Sequence, residues 1–175
     1  MKQLRLEFYT IDMKYIRSLA KVDDNVLSVS PQIGKSSRPF VGLIVIFDNI
    51  PYCVPLSSPK PKHSKMKNDV DFYKIFDPNN VLIGALNFNN MIPVNNNVVT
   101  KLDLKIHAKD NVATKLYKKL AANQLNYCRQ NQAAIISKAN KLYTLITTGK
   151  PNIMLRKRCC NFSKLEETLA KYSVG

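Results

Sequence analysis

Phe40-Val41-Gly42-Leu43-Ile44-Val45-Ile46-Phe47, then Asp48-Asn49-Ile50-Pro51, then Tyr52-Cys53-Val54-Pro55-Leu56: this stretch decides the architecture. The first eight residues are rich in valine and isoleucine and read as a central strand. Asp48 to Pro51 carries the turn formers, and Tyr52 to Leu56 returns as the hairpin partner. A sheet therefore forms early in the chain, and neighbouring segments should add to it.

Upstream, Leu4 to Ile11 alternates and predicts a strand. Asp12 suits a helix N-cap, and Met13, Ile16, Leu19 and Ala20 follow at helical spacing, so a short helix is expected to about Val22. Residues Asp23 to Ser37 hold Ser, Gly, Pro and Asn and read as a long loop with a basic end at Lys35 and Arg38. Downstream, strands are expected at Asp71 to Phe76, Val81 to Leu86, Met91 to Val94 and Val98 to Leu104. After Asp110 the period changes. Val112, Leu116, Leu120 and Ala121 recur at helical spacing, as do Ile135, Ile136, Ala139, Leu142 and Ile146. Gly149, Lys150 and Pro151 end the second of these helices. Ser163 to Glu166 reads as a capping box for a last short helix. Strands first and helices later predict an α+β fold, and the length suits one domain over residues 1–175.

Charge narrows the function. The chain carries 27 Lys+Arg against 12 Asp+Glu, a formal net charge of +15, which calls for a polyanionic partner. A lipid surface is the weakest alternative, because no helix pairs a basic face with Trp or Phe. An apolar fraction of 45% argues against wholesale disorder. No apolar run is long enough to span a bilayer and no secretory h-region is visible, so a cytoplasmic protein is expected. Cys53, Cys128, Cys159 and Cys160 lack CxxC spacing and read as reduced, packed thiols rather than zinc ligands; no metal or cofactor is expected.

The segment Pro55-Leu56-Ser57-Ser58-Pro59-Lys60-Pro61-Lys62-His63-Ser64-Lys65-Met66-Lys67 holds four lysines, a histidine and three serines with no acid. Its prolines argue against a helix, and it leaves directly from a strand, where positions are well fixed. RNA cleavage by an internal 2′-hydroxyl needs alignment, charge neutralisation at phosphorus and a proton for the departing oxygen. Lys60 can neutralise charge, Ser57 and Ser58 can hydrogen-bond the phosphate, and His63 or a lysine can move protons. The competing reading is a solvated basic loop. Lys62, Lys65 and Lys67 extend this patch; Lys115, Lys118 and Lys119 on the first long helix and Arg156, Lys157 and Arg158 are further candidates for phosphate contact, or else solvated cations. His107, beside Lys105 and Lys109, reads as a surface residue.

On five ordered blocks the chain resembles the ToxN/AbiQ family of type III toxin–antitoxin endoribonucleases. These are Phe8 to Ile11, Arg38 to Gly42, Pro55 to Lys60 with His63, Gly84 to Val94, and Cys160 to Ser163. The resemblance implies a twisted, partly closed antiparallel sheet like the MazF/Kid/CcdB barrel, with additional flanking helices. It implies metal-independent RNA cleavage leaving a 2′,3′-cyclic phosphate, with Ser57, Ser58, Lys60 and Arg38 catalytic and Lys35 a substitute for Arg38. It also implies a repeat-encoded pseudoknot RNA antitoxin, a cellular or phage mRNA substrate, a closed ring of protein and RNA, and a role in phage defence or plasmid maintenance. The alternative is a non-catalytic regulator that binds RNA or DNA.

Overall fold

The computed structural model describes residues 3, 5–27 and 40–172. Strands β1 (Phe8–Ile11), β2 (Val41–Phe47), β3 (Ile50–Ser57), β4 (Phe72–Phe76), β5 (Leu82–Asn87), β6 (Ile92–Pro93) and β7 (Val99–Lys101) form one antiparallel sheet. Helices α1 (Met13–Ala20), α2 (Val112–Gln130), α3 (Gln132–Thr147), α4 (Ile153–Arg158) and α5 (Phe162–Lys171) flank it. The α+β expectation holds. The sheet runs β4-β5-β3-β2-β1-β7, with β6 also on β3. Its outermost strands, β4 and β7, do not pair with each other among the described residues, so the sheet is open along this path.

The β2–β3 hairpin is the sheet's spine, and its turn is tighter than the sequence suggested. Asp48 and Asn49 alone connect the strands, both at positive φ (49° and 62°), as the twist-matched two-residue turn demands. Ile50 and Pro51 already pair with Phe47 and Ile46. Gly42 faces Pro55 so closely that a Cβ there would lie 2.6 Å from the Val54 carbonyl oxygen, which explains glycine in a strand interior. Along its other edge β3 changes partner: Tyr52 and Cys53 pair with β6, whereas Leu56 and Ser57 pair with β5. Its C-terminal end is thereby gripped by the β4–β5 hairpin.

Helix α1 begins where Asp12 accepts from the Tyr15 amide at 2.8 Å, the expected cap. The buried Tyr15 hydroxyl then donates to the Pro93 carbonyl at 2.6 Å, tying α1 to β6. Tyr52 does the same for α5 by donating to Glu166 at 2.6 Å. Helix α3 buries Ile135, Ala139 and Leu142, the stripe the periodicity indicated. Helix α2 follows its own only at Ala121. Leu116 is 61% exposed and Val112 73%, while Ala121, Gln124, Leu125 and Cys128 face inward. The buried Gln124 amide donates to the Ile83 carbonyl at 2.7 Å and pins α2 to β5. The cap of helix α5 lies two residues before the expected one, with Asn161 accepting from the Lys164 amide. Helix α4 was not expected: Asn152 caps it and Leu155 alone is buried.

All four cysteines are buried free thiols. Burial raises each thiol above its usual range, to about 12 for Cys128 and Cys159. Leu4 and residues 28–37 of the anticipated loop lie outside the described residues.

Candidate active site

At the end of β3 the sheet opens into a cleft of about 860 Å³ lined by Ser57, Lys60, Lys62, His63, Lys67, Asn87 and Arg158, among others. Four elements build it. Strand β3 ends at Ser57, which pairs with Ala85 of β5. Its hydroxyl accepts from the Asn87 side-chain amide at 3.1 Å and points its own hydrogen weakly at the Ala85 carbonyl, 3.5 Å away. That donor is easily redirected, because a hydrogen bond of such length is weak.

Beyond Ser57 the chain makes a 3₁₀ turn over Pro61–Ser64, a correction to the view that prolines bar helical structure here. Pro61 opens the turn, the one place where a missing N–H and a fixed φ do no harm. His63 is 3% exposed and packs its ring against Phe72, with centroids 5.1 Å apart. The Lys60 amide donates to His63 Nδ1 at 3.1 Å, and the His63 amide donates to the Lys60 carbonyl at 2.8 Å. Desolvation, followed by the charges of Lys62, Lys60 and Lys74, pulls the imidazole below its ordinary pKa. The ring is therefore neutral near pH 7. Lys74 reaches back from β4 to the Ser64 carbonyl at 3.4 Å and closes the turn.

The opposite wall is set by an ion pair. Asp71, just before β4 and 5% exposed, receives Arg158 Nε at 2.6 Å and Nη2 at 3.1 Å. This two-point pairing raises the guanidinium pKa above its ordinary value and fixes its plane. A second 3₁₀ turn, Phe88–Asn90, supports α4 from below: Asn89 donates to the Arg158 carbonyl and receives the Cys160 amide on its own backbone oxygen. Asn90 donates to the Asn25 carbonyl, and Asn25 in turn to the carbonyls of Lys157 and Cys159. Leu27 and Met66 add partly exposed apolar surface to the rim.

Of the residues singled out from sequence, Ser57, Lys60, Lys62, His63, Lys67 and Arg158 share this cleft. Ser58 is exposed beside it without lining it, and Lys65 points to solvent. Arg38 and Lys35 lie outside the described residues. The Arg156-Lys157-Arg158 run divides: Arg158 enters the cleft, whereas Arg156 lines a separate pocket with Asp23 and Asp24. On α2, Lys115 and Lys119 do not line the cleft, and Lys118 is engaged with Asp110 at 2.8 Å and the Lys105 carbonyl at 2.7 Å. His107 is exposed and bonded to Asp103 at 2.6 Å. Asp71 and Asn87 were missed. Asn87 sits within the Gly84 to Val94 block that carries the resemblance, so its signal was present; Asp71 had none. No group of three or more His, Cys, Asp or Glu that could hold a metal occurs among the described residues.

Comparison with known proteins bears on this arrangement. The family model described as toxin ToxN of type III toxin–antitoxin systems matches residues 7–170. An endoribonuclease ToxN from Pectobacterium atrosepticum is 33% identical over 93% of this chain and 91% of its own. A solved structure concerning selective toxin inhibition by a non-coding RNA pseudoknot in bacterial type III systems shares 31% identity, with a TM-score of 0.77 over 97% of this chain and 98% of that one. The structure of AbiQ, a lactococcal anti-phage endoribonuclease of the type III class, superimposes with a TM-score of 0.80 at 24% identity, covering 95% and 97% of the two chains. That last likeness bears on the fold.

Proposed function

Because the chain belongs to the ToxN toxin family of type III toxin–antitoxin systems, we propose that the cleft at the end of β3 is the place where it cuts RNA. The chain is an endoribonuclease and the toxin component of such a system. The observation that carries the site is the meeting of Ser57, Lys60 and Arg158 in the lining of one cleft.

The chemistry in this reading runs without a metal or cofactor. The substrate's 2′-oxygen attacks the adjacent phosphorus, the new O2′–P bond forms as the P–O5′ bond breaks, and a 2′,3′-cyclic phosphate and a 5′-hydroxyl result. Water takes the proton that leaves O2′, and a lysine ammonium of the cleft supplies the one that reaches O5′. Charge accumulating on the non-bridging oxygens is met by Lys60 and by a hydrogen bond from Ser57, whose acceptor at Ala85 is weak enough to surrender. Asn87 holds the Ser57 oxygen in place while its hydrogen turns toward the phosphate. Lys62 and Lys67 draw the backbone in. Ser58 and Arg38 complete the proposed set, Ser58 from the exposed residue that follows and Arg38 from before β2.

The inhibitor in this reading is a repeat-encoded pseudoknot RNA that occupies basic surface on neighbouring copies, alternating with protein in a closed ring. A formal charge of +15 supports the alternation, since bare copies repel one another. The substrate is cellular or phage mRNA, the setting is the bacterial cytoplasm, and the outcome is phage defence or plasmid maintenance. Among the described residues no helix is long and apolar enough to cross a membrane. We read residues 1–175 as one domain whose open sheet derives from a MazF/Kid/CcdB-like barrel.

Purified protein freed of nucleic acid, incubated with RNA in EDTA, tests this directly. Fragments ending in a 2′,3′-cyclic phosphate are expected. Intact RNA sinks the reading and leaves a non-catalytic binder.

A further inference from the structure

His63 is a buried, titratable side chain in the cleft that also holds Ser57 and Lys60. Its surroundings say what it is for. Lys60 stands at the N-cap of the 3₁₀ turn, yet a lysine side chain offers no acceptor and cannot cap. The interaction is inverted. His63, at the third turn position, takes the backbone N–H of Lys60 on Nδ1 at 3.1 Å, where a capping box would use Glu or Gln. The return bond from the His63 amide to the Lys60 carbonyl, at 2.8 Å, closes a ring of two hydrogen bonds around Lys60.

This geometry fixes the protonation pattern. Nδ1 must keep its lone pair to accept, so the single ring proton lies on Nε2. The ring is enclosed by Phe72 and faces the cations Lys60 and Lys62 of its own segment and Lys74 of β4, none of which tolerates an imidazolium. Two carboxylates line the same cleft: Asp71 is paired with Arg158, and Asp69 accepts from the Val70 amide at 2.7 Å. A general base would need a free lone pair facing the RNA, and freeing one by exchanging tautomers would give up the bond to Lys60. Resting on the cleavage reading above, we propose that His63 is a positioning residue. It transfers no proton to or from the RNA, and it clamps the backbone of Lys60 so that the ammonium is delivered beside Ser57.

The two amide substitutions separate the possibilities. In His63→Asn the side-chain oxygen falls near the position of Nδ1 and can accept from Lys60; in His63→Gln the amide falls near Nε2 and cannot. Single-turnover cleavage of bound RNA, with protein in excess, should be nearly normal in His63→Asn and reduced roughly 10- to 30-fold in His63→Gln and His63→Ala, within the loss expected when one buried donor is left unsatisfied. The acidic and basic limbs of the pH–rate profile should persist in His63→Gln at a lower plateau. Equal losses of ~100-fold or more in Asn and Gln, with one limb abolished, would make His63 a proton donor or acceptor and overturn the proposal. Full activity in all three variants would overturn it as well. A measurement independent of cleavage accompanies these. The chain has two histidines, so in His107→Gln the ring nitrogens of His63 are read alone by long-range 1H–15N correlation. A proton on Nε2 at pH 7 is expected, and one on Nδ1 refutes the clamp. Should wild-type protein leave RNA intact, the cleavage reading falls and the assertion that the clamp serves it falls too, while the nitrogen shifts still decide whether the clamp exists.

Discussion

Arg158 of α4 and Asp71 of β4's approach form a two-point ion pair, at 2.6 and 3.1 Å, with the carboxylate buried and the guanidinium half open to the cleft. The pair fastens a helix of six residues to the sheet edge and holds a cation at the site. Arg158→Ala leaves the Asp71 carboxylate without its partner in a position that water barely reaches. The expected cost is about 1–3 kcal/mol in urea unfolding, together with weaker binding of RNA. Arg158→Lys should recover little of either, since one ammonium cannot satisfy both oxygens in the same plane. Wild-type stability in Arg158→Lys would show that the planar fork does not matter.

Lys60 is exposed and, among the described residues, its side chain bonds to nothing that holds the fold. Lys60→Ala should therefore unfold within ~0.5 kcal/mol of wild type yet lose roughly 10²- to 10³-fold in the cleavage step. Growth arrest in cells should disappear while antitoxin RNA is still bound. A fully toxic Lys60→Ala removes this residue from the site.

Leu116 and Leu125 belong to the same helix and differ in what they touch. Leu125 is 3% exposed against the sheet, and Leu125→Ala should cost about 2–4 kcal/mol. Leu116→Ala should change the unfolding midpoint by no more than ~0.5 kcal/mol equivalent. Equal losses would mean that α2 presents its other face to the core.

Acid should weaken the fold through His63. In the unfolded chain the imidazole titrates near its ordinary value of 6.5, whereas in the fold it is lowered. Above 6.5 both states hold it neutral and it contributes no pH dependence. As pH falls from 6.5 toward the folded value, the unfolded state takes up a proton that the folded state refuses, so stability declines; below the folded value the decline stops. Urea midpoints of wild type and His63→Asn between pH 7 and pH 5 should converge as the pH drops. Parallel curves would place the acid sensitivity elsewhere.

Much of this was legible along the chain, and the exceptions share a cause. The β2–β3 hairpin, the Asp12 cap and the α3 stripe rest on contacts a few residues apart, and short-range patterns announce them. The local run Ser57 to His63 likewise announces one wall of the cleft. The α2 stripe misled because that helix carries two apolar rows, Val112-Leu116-Leu120 and Ala121-Leu125-Cys128, and only packing against β4 and β5 selects between them. The cap of α5 moved to Asn161 because Ser163 lies inside the helix, two residues after the side chain that meets the Lys164 amide. Asp71 and Arg158 are 87 residues apart, and nothing in either neighbourhood points to the other.

Every sulfhydryl in this molecule is sealed inside it. A thiolate-seeking dye added to the native protein meets no target until some part of the structure opens, so the four residues amount to a built-in clock. Cys53 lies in the hairpin, Cys128 under α2, and Cys159 and Cys160 behind Arg158. The order in which they are labelled will therefore time, region by region, how the protein comes apart, with no foreign reporter introduced.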